Sequence, residues 1–358
     1  MSEGVRVGII GATGVVGGAM VRILEERHFP VAHLRLFATA RSAGTRVSFG
    51  GSAITVEETS DVVCDADLVL FAGGDDASRR YAWGVAERGG MAIDNSSTWR
   101  LDPRVPLVVP EVNADALRDH QGVIANPNCC AIPLAMVLAP LHAAVGVRRC
   151  HVATYQSVSG AGIDNMRMLI AQSRSLLEAA DALERGDLDR VRAATGEDAP
   201  VAFNVRPQWR WDADGDTEEE VKIVAETRKM LTVDLRITVT TARVPVLVGH
   251  TLAIHLELER PLDPVAARTL LSVAPGLEVV DDPARGQFPT PLMAVGRDPV
   301  YVGRVRPDRA DAHGLRLVVC SDNLRKGAAL NAVQIAEHLL TAGALRRSVR
   351  TAGSSVRD

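Results

Sequence analysis

Apolar and polar positions alternate in blocks along the first hundred residues. Val5–Ile10 (VRVGII) is a nearly unbroken apolar run, as expected of a strand buried on both faces of a parallel sheet. Glycines follow at positions 11, 14 and 17, and a helical pattern runs from Val15 to Glu26. Further strands are predicted at His33–Ala38, Leu68–Ala72 and Met91–Asp94, with a helix from about Ser78 to Arg88. This alternation predicts a doubly wound, Rossmann-type α/β domain with a parallel sheet.

The texture changes after Gly122–Ala125. A helix is predicted to open near Cys129, with Pro133 tolerable in its first turn. Period-two patterns predict strands at His151–Val158, Leu231–Thr241, Thr251–Glu259 and Leu315–Ser321. The stretch 163–193 reads as helical, 194–220 as a long loop, and Arg243–His250 as strand-like. An amphipathic helix over about Lys326–Ala342 closes the pattern and suits a return to the first domain. The expected division is therefore 1–128 with 329–358 as one domain, and an inserted α+β domain over 129–328.

Length and composition narrow the class. A chain of 358 residues suits two domains, each able to bury a core. Acidic residues (44) exceed basic ones (40), so the formal charge of −4 offers no general footprint for nucleic acid. No apolar run reaches the length of a membrane span, and Met1-Ser2-Glu3-Gly4 lacks the regions of a signal peptide, so the expected location is the cytoplasm. The five cysteines are odd in number and fit neither a zinc site nor a disulfide framework. They are expected to be thiols, and one of them could be a nucleophile. Only Lys222, Lys229 and Lys326 are lysines among 40 basic residues, which draws attention to each.

Five places could carry chemistry. The GATGVVG turn brings backbone N–H groups to a helix N-terminus, an anion site suited to a pyrophosphate; a tight turn without ligand is the plainer reading. The following Ala38-Thr39-Ala40-Arg41-Ser42 has no acid for a ribose 2′-hydroxyl, whereas Arg41 and Ser42 suit a 2′-phosphate and hence NADP. Cys129 and Cys130 follow Asn126-Pro127-Asn128 where a helix begins, a position that favours a thiolate; spacing alone does not choose between them. Arg243 and His250 offer a carboxylate clamp and an acid–base group. Glu219 and Lys222 share a helix face, with Glu226 one turn on, a pattern also met on ordinary solvated helices.

Together these segments resemble the aspartate-semialdehyde dehydrogenase family. The likeness is carried by GATGVVG, ATARSAG, IDNSSTWR, VVPEVN, ANPNCCA, TYQSVSGAG, EEVKIVAETRKML, RVPVLVGH, FPTPLMAVGRDPVYVGR and DNLRKGAALNAVQIAE, in the family's order over nearly the whole chain. The resemblance implies NADPH-dependent reductive dephosphorylation of L-aspartyl 4-phosphate to L-aspartate 4-semialdehyde and phosphate, on the way to lysine, threonine and methionine. It implies Cys129 as the nucleophile that forms a thioester, His250 as proton carrier and Gln156 as the group orienting substrate. Arg243 would hold the α-carboxylate and Glu219 the α-ammonium, while Arg100, Lys222 and Asn128 would bind phosphate. Cofactor contacts would come from Gly11, Thr13, Gly14, Val15, Val16, Arg41, Ser42, Ser159, Gly160 and Asn323. No metal is implied, and a homodimer is.

The chain departs from the family at Cys130 and Ala131, where a small hydroxyl residue and a threonine are usual, and at Ala72, where serine is common. The adjacent thiols raise the exposure of the site to oxidation. Three other readings remain. A sibling such as N-acetylglutamyl-phosphate reductase shares the cysteine chemistry, but its acylated amine would leave Glu219 without a charge to meet. A non-catalytic NADP-binding relative would be expected to lack the thiol or the imidazole. A thiol hydrolase built on Cys129 and His250 leaves the glycine turn without a role.

Overall fold

The computed structural model describes residues 4–208 and 212–345, and these form two compact units. The first comprises 4–110, 114–126 and 329–345; the second comprises 111–113 and 127–328, short of 209–211.

The first unit runs β1 (Val5–Ile10), α1 (Val15–Glu26), β2 (Val31–Ala38), β3 (Arg46–Phe49), β4 (Ser52–Glu58), β5 (Leu68–Phe71), α2 (Asp75–Glu87), β6 (Met91–Asp94) and β7 (Val123–Ala125). The strands lie in the order β3-β4-β2-β1-β5-β6-β7, parallel throughout except for the β3–β4 hairpin. The chain leaves β1 towards β2 on one side and later resumes at β5 on the other. The carboxyl end of β1 is thus a topological switch point, where open α/β sheets bind ligands. Val7, Ile9, Met20, Leu24, Leu36 and Leu70 fill the core together with Val333, Ile335 and Leu339 from the closing helix Leu330–Thr341. That helix is tied to α1's end by paired Arg27–Glu337 contacts of 2.7 and 2.8 Å.

The second unit runs α3 (Ala131–Val145), β8 (Val147–Gln156), α4 (Ile163–Glu178), two short helices (Ala180–Arg185, Leu188–Thr195), β9 (Arg206–Pro207) and α5 (Glu218–Leu231). Then come β10 (Arg236–Arg243), β11 (His250–Leu258), α6 (Pro264–Ser272), β12 (Leu277–Val279), β13 (Val300–Pro307) and β14 (Gly314–Ser321). The sheet order is β12-β13-β14-β11-β8-β10-β9. Its central strand is β11, and the neighbouring β8 is antiparallel to β11 on one side and parallel to β10 on the other. Helix α3 is apolar nearly all round and buried from Ala131 to Leu138, as a helix enclosed by its own unit should be.

Several boundaries differ from the sequence expectation. Leu231–Thr241 is not one strand: α5 continues to Leu231, Thr232 ends it in a left-handed turn (φ 55°), and β10 starts at Arg236. The apolar positions of Ile223–Met230 obey helical spacing, and the acidic first turn of α5 suits a helix N-terminus. The 163–193 stretch is three helices, broken at Ala179 and at Gly186 in the left-handed region. Arg243–His250 is the connection between two strand ends rather than a strand. The helix expected from Cys129 opens at Ala131, and the last helix opens at Leu330 after a wider turn over Arg325–Ala329.

Candidate active site

Register alone collects three of the expected residues. Gln156 is the last residue of β8 and pairs with Arg243, the last of the parallel β10. On the other flank Thr251 pairs with Tyr155, so His250 begins β11 opposite the end of β8. Residues level with each other on neighbouring strands project to the same face. A cation, an amide and an imidazole therefore stand in one row at one end of the sheet.

The imidazole is fully buried and held from one side. The Ser157 N–H donates to His250 Nδ1 at 3.0 Å, with Ser157 Oγ 3.1 Å away. A ring whose Nδ1 accepts an amide proton carries its own proton, when neutral, on Nε2. That Nε2 is buried and has no hydrogen-bond partner among the described residues. One ring nitrogen of His250 and the sulfurs of Cys129 and Cys130 all lie within 4.8 Å of one another. With Nδ1 occupied by the amide and Nε2 carrying the proton, the group suits proton donation better than metal ligation.

The two thiols differ. Cys129 is partly exposed, while Cys130 is fully buried and its thiol is pushed well above the usual range, first by its hydrogen bond with Cys129 and then by burial. Asn128 fixes the backbone here: its Oδ1 accepts the N–H groups of Cys130 (2.8 Å) and Ala131 (3.3 Å), capping α3. Its own N–H donates to Glu226 Oε2 at 2.5 Å, and its Nδ2 donates to Glu219 Oε1 at 3.0 Å.

The first turn of α5 supplies the opposite charges. A capping box joins Thr217 and Glu220, and Glu220 Oε1 also accepts the Thr241 N–H of β10 at 2.7 Å. The turn is thereby pinned to the strand that ends in Arg243. Glu219 accepts from Gln156 Nε2 as well as Asn128, and Lys222 pairs with Glu218 at 2.5 Å. Glu219, Lys222, Arg243, Arg206 and Gln208 line a cavity of about 360 Å³, closed by Val158, Met168 and Val201. The Arg243 guanidinium is anchored by NH1 on the Ser157 carbonyl at 2.6 Å.

Ser159 and Asn323 lie in the same unit, buried in a network that braces the histidine. Asn323 Oδ1 accepts from Ser157 Oγ, Ser159 Oγ and the Gly249 N–H. Both ends of the Asn323 amide are used inside the protein, since Nδ2 reaches Ser159 Oγ at 2.9 Å. Gly160 is exposed beside the imidazole: a Cβ there would sit 3.5 Å from His250 Nε2. Lys326 is buried against Glu111 at 2.6 Å, an ion pair inside the second unit.

The first unit holds a separate cavity of about 610 Å³ at the carboxyl ends of β1, β2 and β5, lined by Gly11, Thr13, Gly14, Arg41 and Ser42. Gly11 is required there: its φ is 78°, and a Cβ would sit 2.4 Å from the Ala72 carbonyl oxygen. The N-cap of α1 is Gly14, which has no side chain to cap the helix, and the N-terminus of a helix is a place that suits an anion. Val15 and Val16 are absent from the cavity wall, and Val16 packs on the core instead. Arg100 belongs to this unit, nearly buried, donating to the Asn126 and Asn95 carbonyls at 3.0 and 2.9 Å.

Sequence reasoning passed over Gln208, Arg206, Thr217 and Glu220, and left open for Glu226 a solvated helix face, whereas it is 1% exposed. The Thr217-x-x-Glu220 capping box was the available signal. In the first unit it passed over Arg80, Tyr81 and Glu58, which share the cavity wall.

Comparison with known proteins agrees with both halves. Residues 6–120 match the family described as semialdehyde dehydrogenase, NAD binding domain, and residues 138–326 match semialdehyde dehydrogenase, dimerisation domain. The aspartate-semialdehyde dehydrogenase of Streptomyces akiyoshiensis is 47% identical over 93% of this chain and 97% of its own. That of Synechocystis is 43% identical over 96% and 99%. The crystal structure of aspartate semialdehyde dehydrogenase II from Vibrio cholerae superposes with a TM-score of 0.86 at 38% identity, over 95% of this chain and 99% of that one. By sequence along its whole length and by fold, the chain belongs to the aspartate-semialdehyde dehydrogenase family.

Proposed function

We propose that the chain reduces L-aspartyl 4-phosphate to L-aspartate 4-semialdehyde, with release of phosphate, through a thioester on Cys129. The observation that carries this reading is the second unit's constellation: a partly exposed thiol, a buried imidazole, and a cavity holding Arg243 and Lys222 opposite Glu219. The substrate bears a carboxylate, an ammonium and a phosphate, and the cavity offers a matching sign for each.

Arg243 receives the α-carboxylate with the part of its guanidinium not spent on Ser157. Glu219 receives the α-ammonium. Gln156, locked by Gln208 through a 2.7 Å bond to its Oε1, orients the reacting carbonyl. Lys222, with Arg100 and Asn128 as further candidates, carries the phosphate. Cys129 attacks the acyl carbon: the C–S bond forms, the C–O bond to phosphate breaks, and phosphate leaves with the electron pair. His250 holds its proton on Nε2, where it can neutralise the oxyanion. NADPH supplies the hydride when bound. The cavity around Gly11, with the uncapped α1 and Arg41, Ser42 and Arg80 on its wall, suits a dinucleotide carrying a 2′-phosphate, although Glu58 also faces it. Ser159, Gly160 and Asn323 are further candidates for contacts to the cofactor.

The match to a dimerisation domain supports a homodimer, which light scattering tests. Five free thiols support a reducing compartment, the cytoplasm, and no helix among the described residues is long and apolar enough to cross a membrane.

The deciding experiment is phosphate-dependent NADP reduction, with aspartate semialdehyde and N-acetylglutamate semialdehyde supplied in turn. Turnover of the first alone is expected, abolished in Cys129→Ala. Turnover of the second alone overturns the proposal in favour of the sibling reductase, whose substrate leaves Glu219 without a counter-charge. Mass spectrometry of enzyme trapped with semialdehyde and NADP should place the acyl group on Cys129.

A further inference from the structure

The thiol beside the nucleophile stands in an organised setting. Cys130 is fully buried, and its Sγ accepts a hydrogen bond from Gln156 Nε2 at 3.2 Å. The Gln156 amide has no freedom to turn over. Gln208 Nε2 donates to its Oε1 at 2.7 Å, and its Nε2 also meets the acceptor Glu219 Oε1 at 3.1 Å. A thiol has one proton. When its sulfur accepts from an amide on one side, that proton is left to point elsewhere. The Cys129 sulfur lies within 4.8 Å, and Asn128 clamps the intervening backbone through the Cys130 and Ala131 amides.

We propose that Cys130 is a positioning residue for the nucleophile: its S–H donates to the Cys129 thiolate, and Gln208 sets that direction by locking the Gln156 amide behind it. The three links run one way, Gln208 to Gln156 to Cys130 to Cys129, so each donor polarises the next. The charged and titratable groups facing the pair are Glu219 from α5, Arg243 from β10 and His250 from β11. Glu219 opposes a negative sulfur, Arg243 favours one, and the His250 Nε2–H is a second candidate donor. Retention of the proton on Cys130 when Cys129 loses its own agrees with the upward displacement of the Cys130 thiol by its neighbour. The inference rests on the assignment of Cys129 as nucleophile. It adds that the replacement of a hydroxyl residue by cysteine keeps a donor at that place.

The test is the pH dependence of Cys129 alkylation by iodoacetamide in the full-length protein, read by peptide mass spectrometry, for wild type, Cys130→Ala, Cys130→Ser and Gln208→Leu. The expected result for Cys130→Ala is a midpoint about one pH unit higher, so about tenfold slower alkylation at neutral pH. Cys130→Ser, which keeps a donor, should stay within about threefold of wild type. Gln208→Leu should shift the midpoint the same way by a smaller amount. An unchanged midpoint in Cys130→Ala, or an equal shift in the alanine and serine variants, overturns the proposal. Should Cys130→Ala fail to fold, an unmoved midpoint in Gln208→Leu does so. Alkylation needs no turnover, so failure here is distinct from failure of the proposed reaction, which shows as wild-type enzyme inert towards the semialdehyde.

Discussion

Replacing Arg243 by lysine keeps the positive charge and removes the fork. In the protein one arm, NH1, is fixed on the Ser157 carbonyl at 2.6 Å, which aims the rest of the plane. The remaining donors can meet a carboxylate with both its oxygens, whereas an ammonium meets it as a point and has no second arm to anchor it. Loss of one hydrogen bond to a charged group is worth about 1.5–3 kcal/mol, hence about 10- to 150-fold in kcat/KM. In the proposed assignment Arg243 holds a part of the substrate that does not react, so the change should appear mainly as a higher KM. The assay is formation of reduced nicotinamide from aspartate semialdehyde, phosphate and NADP. A parallel series with 3-aminopropanal, which lacks the carboxylate, separates binding of that group from general damage. With this analogue the difference between wild type and Arg243→Lys should shrink to within about threefold. A loss of equal size on both aldehydes, or an Arg243→Lys enzyme within about twofold of wild type on the natural one, refutes the assignment of the carboxylate to Arg243.

Four further outcomes are expected. Thr217→Ala breaks the capping box and should lower stability by about 1 kcal/mol in denaturant titration, while raising KM because Glu219 and Lys222 sit in the loosened turn. Gly11→Ala places a Cβ 2.4 Å from the Ala72 oxygen at a φ of 78°, so it should destabilise by about 1–3 kcal/mol and abolish NADPH binding in a fluorescence titration. Arg41→Ala should reduce the NADPH-over-NADH preference in kcat/KM by about tenfold, while NADH turnover is barely altered. A thiol count at neutral pH should find one fast cysteine in native enzyme and five after denaturation. Burial raises the thiols of Cys64 and Cys150 and lifts Cys320 to about 11, and Cys130 is also held high, so these four remain protonated and slow below those values.

The parallel core of the first unit was legible because β1, β5 and β6 are largely buried on both faces and so read as nearly continuous apolar runs, interrupted only by Arg6 and ended by Asp94. The β3–β4 hairpin was not read, although Gly50 and Gly51, both at positive φ, form the two-residue turn that marks one. Its strands are half exposed and carry little hydrophobic contrast. Strand β13 escaped because Arg304 and Arg306 interrupt its apolar run. At the candidate site, compact motifs drew attention to the Cys129–Cys130 pair after Asn-Pro-Asn and to His250 after glycine, and only the family resemblance chose Cys129 of the two thiols. Gln208, and the burial of Glu226, were not visible, because what distinguishes them is contact across the fold: 52 residues separate Gln208 from Gln156, and 98 separate Glu226 from Asn128. No local spacing reports such contacts.

The row formed by Arg243, Gln156 and the head of β11 has a consequence for redesign. Its members sit level on three adjacent strands, so their backbone separations are multiples of the interstrand repeat of about 4.8 Å and resist adjustment by point mutation. New substrate lengths should therefore be sought outside the ladder, at the amino end of α5 and in the 244–249 connection. A one-residue insertion within β10 would instead turn the guanidinium to the opposite face and erase the recognition altogether.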